Sequence, residues 1–177
     1  MTTLKQTIMH REQVPISFDE ISKALRPHGM SPNFVLLDDL SENPSTQQLF
    51  KGKDCVCILG TVHSRNHSTK FNHWISIIRR PREFWVFDSL GNTLEQLTIK
   101  LANGKKSLVN WKRKNRVREN TTKLQKTDIH INTCGLYQIV RLIRKDLNNV
   151  QFVKWLRHSF FDPDISVSML CYLDLLK

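Results

Sequence analysis

The sequence predicts a mixed α and β architecture, with strands at the centre and helices toward both ends, in a single domain spanning residues 1–177. Three stretches carry that expectation. "CVCILGTV" (55–62) is rich in β-formers and largely apolar at both alternating sets of positions, which suits a strand covered on both faces. "HWISII" (73–78) and "FWVFD" (84–88) flank "RRPRE", whose proline and charges fit a hairpin turn. From Gly135 onward, Leu136, Ile139, Val140, Ile143 and Leu147 recur at helical spacing, and "LNN" ends the pattern.

The remaining segments follow in order. "SFDEISKALRPHG" opens with a capping-box pattern, Ser17 with Glu20. Its Ile21, Ala24 and Leu25 share one face, and Pro27 with Gly29 stops the helix. "NFVLLDDL" reads as extended, "SENPSTQQLFKGKD" as a polar connection and "HSRNHSTKFN" as a polar loop. "DSLGN" turns the chain, and the basic stretch after it reads as helix and loop. "VQFVKWLRHSF" reads as a helix, "DPD" as a break, and "SVSMLCYLDLL" as a closing strand or helix.

Composition narrows the function. Apolar residues make up 40% of the chain, enough for a packed core, which argues against disorder. No apolar run reaches the roughly 18 residues of a membrane span, and "MTTLKQTIMHREQ" lacks the apolar centre of a signal peptide. A chain of the cytosol or nucleus is expected, not secreted and without a membrane partner. Its four cysteines would then be reduced and available for chemistry. The net charge is +11, and between Lys100 and Lys126 ten Lys or Arg face one acid, Glu119. Lys105, Lys106, Lys112, Arg113, Lys114, Arg116 and Arg118 form the densest run, around "WKRKNRVR". Such a run is either a solvated face or a phosphate-binding patch. In the second case, binding to DNA would be salt-sensitive and indifferent to sequence.

The chemistry centres on three residues. Cys134 precedes Gly135 at the start of a helix, where unpaired amides and the helix dipole stabilise a thiolate. His73 at one strand and Asp88 at the end of its hairpin partner become neighbours across the ladder. A histidine there exchanges the thiol proton while the acid orients the ring. Gly135 leaves room for a substrate carbonyl, and amides near Cys134 would donate into an oxyanion hole. A thiol at a helix start is also a common packing residue, so it is the order His, Asp, Cys-Gly that raises the catalytic reading. Cys55 and Cys57 with His63 and His67 lack structural-zinc spacing, so no metal is expected. His130 is a rival base without an evident orienting acid.

"HW", "FWVFDSLGN" and "TCGLYQIV", in this order, resemble the adenain (adenovirus-type) proteinase family, within the wider group of proteases of ubiquitin-like modifiers. The similarity extends weakly over nearly the whole chain. It implies an α+β fold with a central mixed or antiparallel sheet flanked by helices and the cysteine at the N-terminus of a buried helix. It implies a cysteine endopeptidase with Cys134 as nucleophile, His73 as base, Asp88 as orienting acid and Trp74 beside the substrate groove. Substrates would be virion polyprotein precursors cut at small, Gly-containing sites, in a monomer working in the host nucleus or virion.

The family's oxyanion glutamine usually stands six or seven residues before the cysteine. Here those positions are Asp128 and Thr127, and Gln125 lies nine before. Gln125 is the better donor, and Asp128 is the alternative, although its carboxylate would repel an oxyanion unless protonated. No cofactor is required. DNA is an expected stimulator through the basic segment, and an activating peptide a second one, although no cysteine between Cys57 and Cys134 offers it a disulfide tether. The alternatives are a protease of ubiquitin-like modifiers and a non-enzymatic nucleic-acid-binding protein.

Overall fold

The structure, a computed structural model, describes residues 4–63, 70–101, 105–128, 131–159 and 161–175. Five strands form one sheet in the order β1 (Asn33–Leu36), β2 (Cys55–His63), β3 (Lys70–Arg79), β4 (Phe84–Phe87) and β5 (Val117–Glu119). The inner pairs β2–β3 and β3–β4 are antiparallel, and the outer pairs β1–β2 and β4–β5 are parallel. The expected α+β class with a mixed central sheet is therefore present.

Alternation along the strands divides the apolar residues between two cores. Cys55, Cys57, Trp74, Ile78 and Phe87 face one side, covered by α2 (Phe18–Leu25), α6 (Cys134–Ile143), α7 (Asn149–Arg157) and α8 (Pro163–Leu175). Val56, Ile58, Ile75, Ile77 and Val86 face the other, covered by α3 (Thr46–Phe50), α4 (Leu94–Leu101) and α5 (Ser107–Arg113). The run "CVCI" is buried throughout because both faces of β2 are covered. A further helix, α1 (Leu4–Gln13), packs on α8.

Local chemistry explains most boundaries. Ser17 and Glu20 make the reciprocal capping box of α2, whose buried face is Ile21, Ala24 and Leu25. Several expectations need correction. The polar connection 41–54 contains α3, started by a second capping box of Ser45 and Gln48 that anchors Leu49 and Phe50 in the core. β3 begins at Lys70, so His73 lies inside the strand; residues 64–69 of the expected loop, with His67, fall outside the described residues. The basic stretch includes β5, and Trp111 at its centre is a buried core residue. "DPD" does not merely interrupt: Pro163 occupies the first position of α8, where its missing N–H costs nothing.

Candidate active site

The β3–β4 hairpin brings His73 and Asp88 together, with His73 Nε2 2.5 Å from Asp88 Oδ1. Asp88 is fully buried and lies one residue beyond β4, where the chain leaves the sheet. "DSLGN" then folds back on the carboxylate. Leu90 N donates to Oδ1 at 3.1 Å, and Asn92 donates to Oδ2 from its backbone at 2.8 Å and from Nδ2 at 2.6 Å. Gly91 makes the turn with φ +71°, and a Cβ there would meet Lys123 N at 2.7 Å, so the position needs glycine on both counts.

Burial alone would raise the Asp88 pKa. The His73 contact and these amide donors outweigh it and hold the carboxyl below its ordinary value. For His73, burial disfavours the charged ring, yet the hydrogen bonds to Asp88 and Cys134, with the Asp88 charge, prevail and push its pKa up to about 10. With Nε2 engaged by Asp88, Nδ1 is the nitrogen left for the thiol. Cys134 is 7% exposed, and its Sγ lies 4.0 Å from the carbonyl of Asn72, the residue before His73.

Cys134 is the first residue of α6, a helix buried almost all round. Gln138, one turn on, donates from Nε2 to the Trp74 carbonyl at 3.0 Å and to the Cys134 carbonyl at 3.2 Å, which pins the helix start to β3. Trp74 is buried against Phe18 and donates to the Ile16 carbonyl. A Cβ at Gly135 would lie 1.8 Å from Ile16 Cγ2 and 3.2 Å from Trp74 Cδ1, so the glycine admits the segment before α2.

Two clefts meet at Cys134 and share Asn72 and Asn132. One, of about 480 Å³, is bounded by His73, Leu97, Ile99, Gln125 and Asp128. The other, of about 460 Å³, is bounded by Ile16, Phe18, Leu59 and Trp74. Both oxyanion candidates therefore line a cleft that Cys134 also lines. Gln125 is buried and held by Ser89, whose Oγ donates to Gln125 Oε1 at 2.7 Å and whose carbonyl accepts from the amides of Leu124 and Gln125. Asp128 is exposed at the cleft rim, and His130 lies outside the described residues. Ser89, Asn92 and Gln138 have structural roles here that the sequence reading missed. Only "DSLGN" itself signalled that something beyond a turn was built there.

The basic residues divide. Lys112, partly exposed, is paired with Glu95 at 3.0 Å and Glu119 at 2.6 Å, so its charge is offset by two acids. Arg116 and Arg118 share Glu83, each at 3.3 Å. Lys105 donates to the Asp38 carbonyl at 2.8 Å, while Lys106, Arg113 and Lys114 are exposed. Cys55 and Cys57 are core residues, and no metal-binding cluster occurs among the described residues. Likewise, no described helix is long and apolar enough to cross a membrane.

No family model and no curated protein matches the chain. Among solved structures it is similar to an ASFV protease known from a crystal structure. The identity is 11% and the TM-score 0.48, over 93% of this chain and 68% of that one. It is also similar to ChlaDub1 from Chlamydia trachomatis, at 14% identity and a TM-score of 0.41, over 98% of this chain and 80% of that one.

Proposed function

We propose that the chain is a cysteine endopeptidase with Cys134 as nucleophile, His73 as acid and base, and Asp88 as the group that orients His73. The observation that carries this reading is the buried His73–Asp88 pair set against a thiol at the meeting point of two clefts. A protonated ring beside the sulfur favours the thiolate–imidazolium pair that attacks an amide carbonyl. The Sγ–C bond forms as the carbonyl becomes an oxyanion, which Gln125 and the first amides of α6 stabilise. Collapse breaks the C–N bond, His73 gives its proton to the leaving amine, and a thioester remains. Water, losing a proton to His73, then hydrolyses the thioester and restores the thiol.

Two clefts that meet at one thiol suit an extended polypeptide, with residues before and after the scissile bond held at once. The motif resemblance to adenain supports the finer reading: precursor polyproteins cut at small, Gly-containing sites, by a monomer acting in a virion or host nucleus. Lys106, Arg113 and Lys114, joined by the half-engaged Arg116 and Arg118, are the residues for DNA stimulation, with Lys105 at the edge. An activating peptide would have to bind without a disulfide between residues 57 and 134.

Co-expression with a Gly-rich precursor tests the reading. Cys134→Ala should abolish cleavage and leave the fold intact, and full activity in that variant would sink it. Electrophilic probes built on ubiquitin-like modifiers, run beside short Gly-rich peptides, separate a modifier protease from an endopeptidase of precursors. Duplex DNA added at low salt should raise the rate, and an unchanged rate removes that role from the basic segment.

A further inference from the structure

The mechanism above leaves one buried acid unused. Asp164, in the first turn of α8, is 1% exposed and bridges two segments that are remote in sequence. Its Oδ1 accepts from Thr133 Oγ1 at 2.5 Å, and its Oδ2 accepts from Lys126 N at 3.0 Å. Thr133 immediately precedes Cys134, and Lys126 immediately follows Gln125. One carboxylate therefore spans the nucleophile and the oxyanion candidate through their direct neighbours. Thr133 occupies the N-cap of α6, where its hydroxyl would ordinarily bond a first-turn amide. Here it makes no side-chain cap and turns to Asp164 instead. The first-turn amides are thus spared a capping oxygen at the point where an oxyanion would form.

Resting on the peptidase reading, we propose that Asp164 is the positioning residue that sets Gln125 and the first turn of α6 at the distance an oxyanion requires. It touches no reacting atom; it acts through Thr133 and Lys126. Displacements of about 1 Å at such donors cost on the order of 100-fold in rate.

The test compares a reagent that makes an oxyanion with one that does not. A peptide aldehyde of the cleaved sequence forms a hemithioacetal with Cys134, whereas iodoacetamide only alkylates the sulfur. Asp164→Ala should lower kcat by about 10- to 100-fold and weaken the aldehyde in parallel, with KM within about twofold. Its iodoacetamide rate should stay at the wild-type value. Asp164→Asn should recover most of the loss, because its amide can donate to Thr133 Oγ1 and its oxygen can accept from Lys126 N. If Asp164→Ala does not fold, Thr133→Val, which removes only the hydroxyl donor, takes its place with the same expectations. Unchanged kcat and aldehyde affinity in an active enzyme overturn the clamp alone, as does an equal loss of iodoacetamide reactivity. A wild-type protein that turns over no peptide overturns the peptidase reading and the clamp with it.

Discussion

The two halves of the candidate site are built in opposite ways. The His73–Asp88 half comes from one hairpin and the turn after it, and residues 73–92 supply the groups that hold the carboxylate. The Cys134–Gln125 half is assembled from the whole length of the chain. Asn132 donates its amide to the Glu12 carbonyl and its side chain to the Gln13 carbonyl, Ile16 packs on Gly135, Ser89 holds Gln125, and Asp164 ties Thr133 to Lys126. The charged half is fixed by local geometry, whereas the half that meets the reacting carbonyl depends on tertiary contacts. Substitutions in the first should therefore remove charge stabilisation, and those in the second should shift distances.

The largest effect is expected at Asp88. Asp88→Ala removes the partner of a buried imidazolium and leaves Leu90 N and Asn92 without their acceptor, a loss of about 3 kcal/mol in urea unfolding. It should also lower kcat/KM by about 100- to 10,000-fold, because the ring loses its orientation. A stability change below about 1 kcal/mol would show that the pair is not held as described.

The same pair sets a pH dependence with a definite sign. The folded-state pKa of His73, near 10, exceeds the ordinary value of 6.5, so the folded protein binds the extra proton between those limits. Its contribution is fully present below about pH 6.5 and is lost as pH rises toward 10. Asp88 works in the other direction, and its contribution is lost as pH falls below the ordinary carboxylate range. Thermal unfolding should therefore show Tm falling from pH 6.5 to 10 in the wild type, with a flatter profile in Asp88→Ala. An equal slope in both would assign it to other groups.

Gly135 probes the assembled half. Gly135→Ala places a methyl on Ile16 Cγ2 and should cost about 1–3 kcal/mol by overpacking. Ile16→Ala should restore part of that loss in the double variant, a coupling of the kind expected between residues in contact. Additive losses would mean that the two side chains do not compete for the same space.

The asymmetry also explains what the sequence disclosed. A continuous apolar, β-rich run marked β2, the turn "RRPRE" marked β3 and β4, and the Ser17 box marked α2, because these signals lie within a few residues of one another. Asp88 and Cys134 were legible because each sits at an element boundary with a distinctive neighbour, whereas His73, inside β3, was marked by its place across the hairpin from Asp88. α3 was overlooked although Ser45 and Gln48 carried the same capping signal, since polar flanks masked a single helical turn. β5 has three residues, too few for alternation to register. The engagement of Lys112 with Glu95 was hidden because α4 and α5 meet only in the fold. Asp164 was the least legible: its partners lie 31 and 38 residues away, and nothing in "DPD" points to them.

The smallest effect, and the one that sharpens the comparison most, is expected at Ser89, where the halves meet. Its backbone continues the Asp88 turn, its carbonyl fixes the amides of Leu124 and Gln125, and its hydroxyl holds Oε1 of the Gln125 side chain, whose Nε2 donates to the Ile131 carbonyl at 3.5 Å. Ser89→Ala keeps the backbone contacts and leaves Gln125 Oε1 without that donor, a change of about 1 kcal/mol. If Gln125 stabilises the oxyanion, this should appear as a loss of roughly fivefold in kcat, using the same 1 kcal/mol, with iodoacetamide alkylation unaltered. If the hydroxyl served only the Asp88 turn, alkylation would fall with turnover, because His73 would lose its alignment. The ratio of the two rates thus reports which half of the site the serine belongs to.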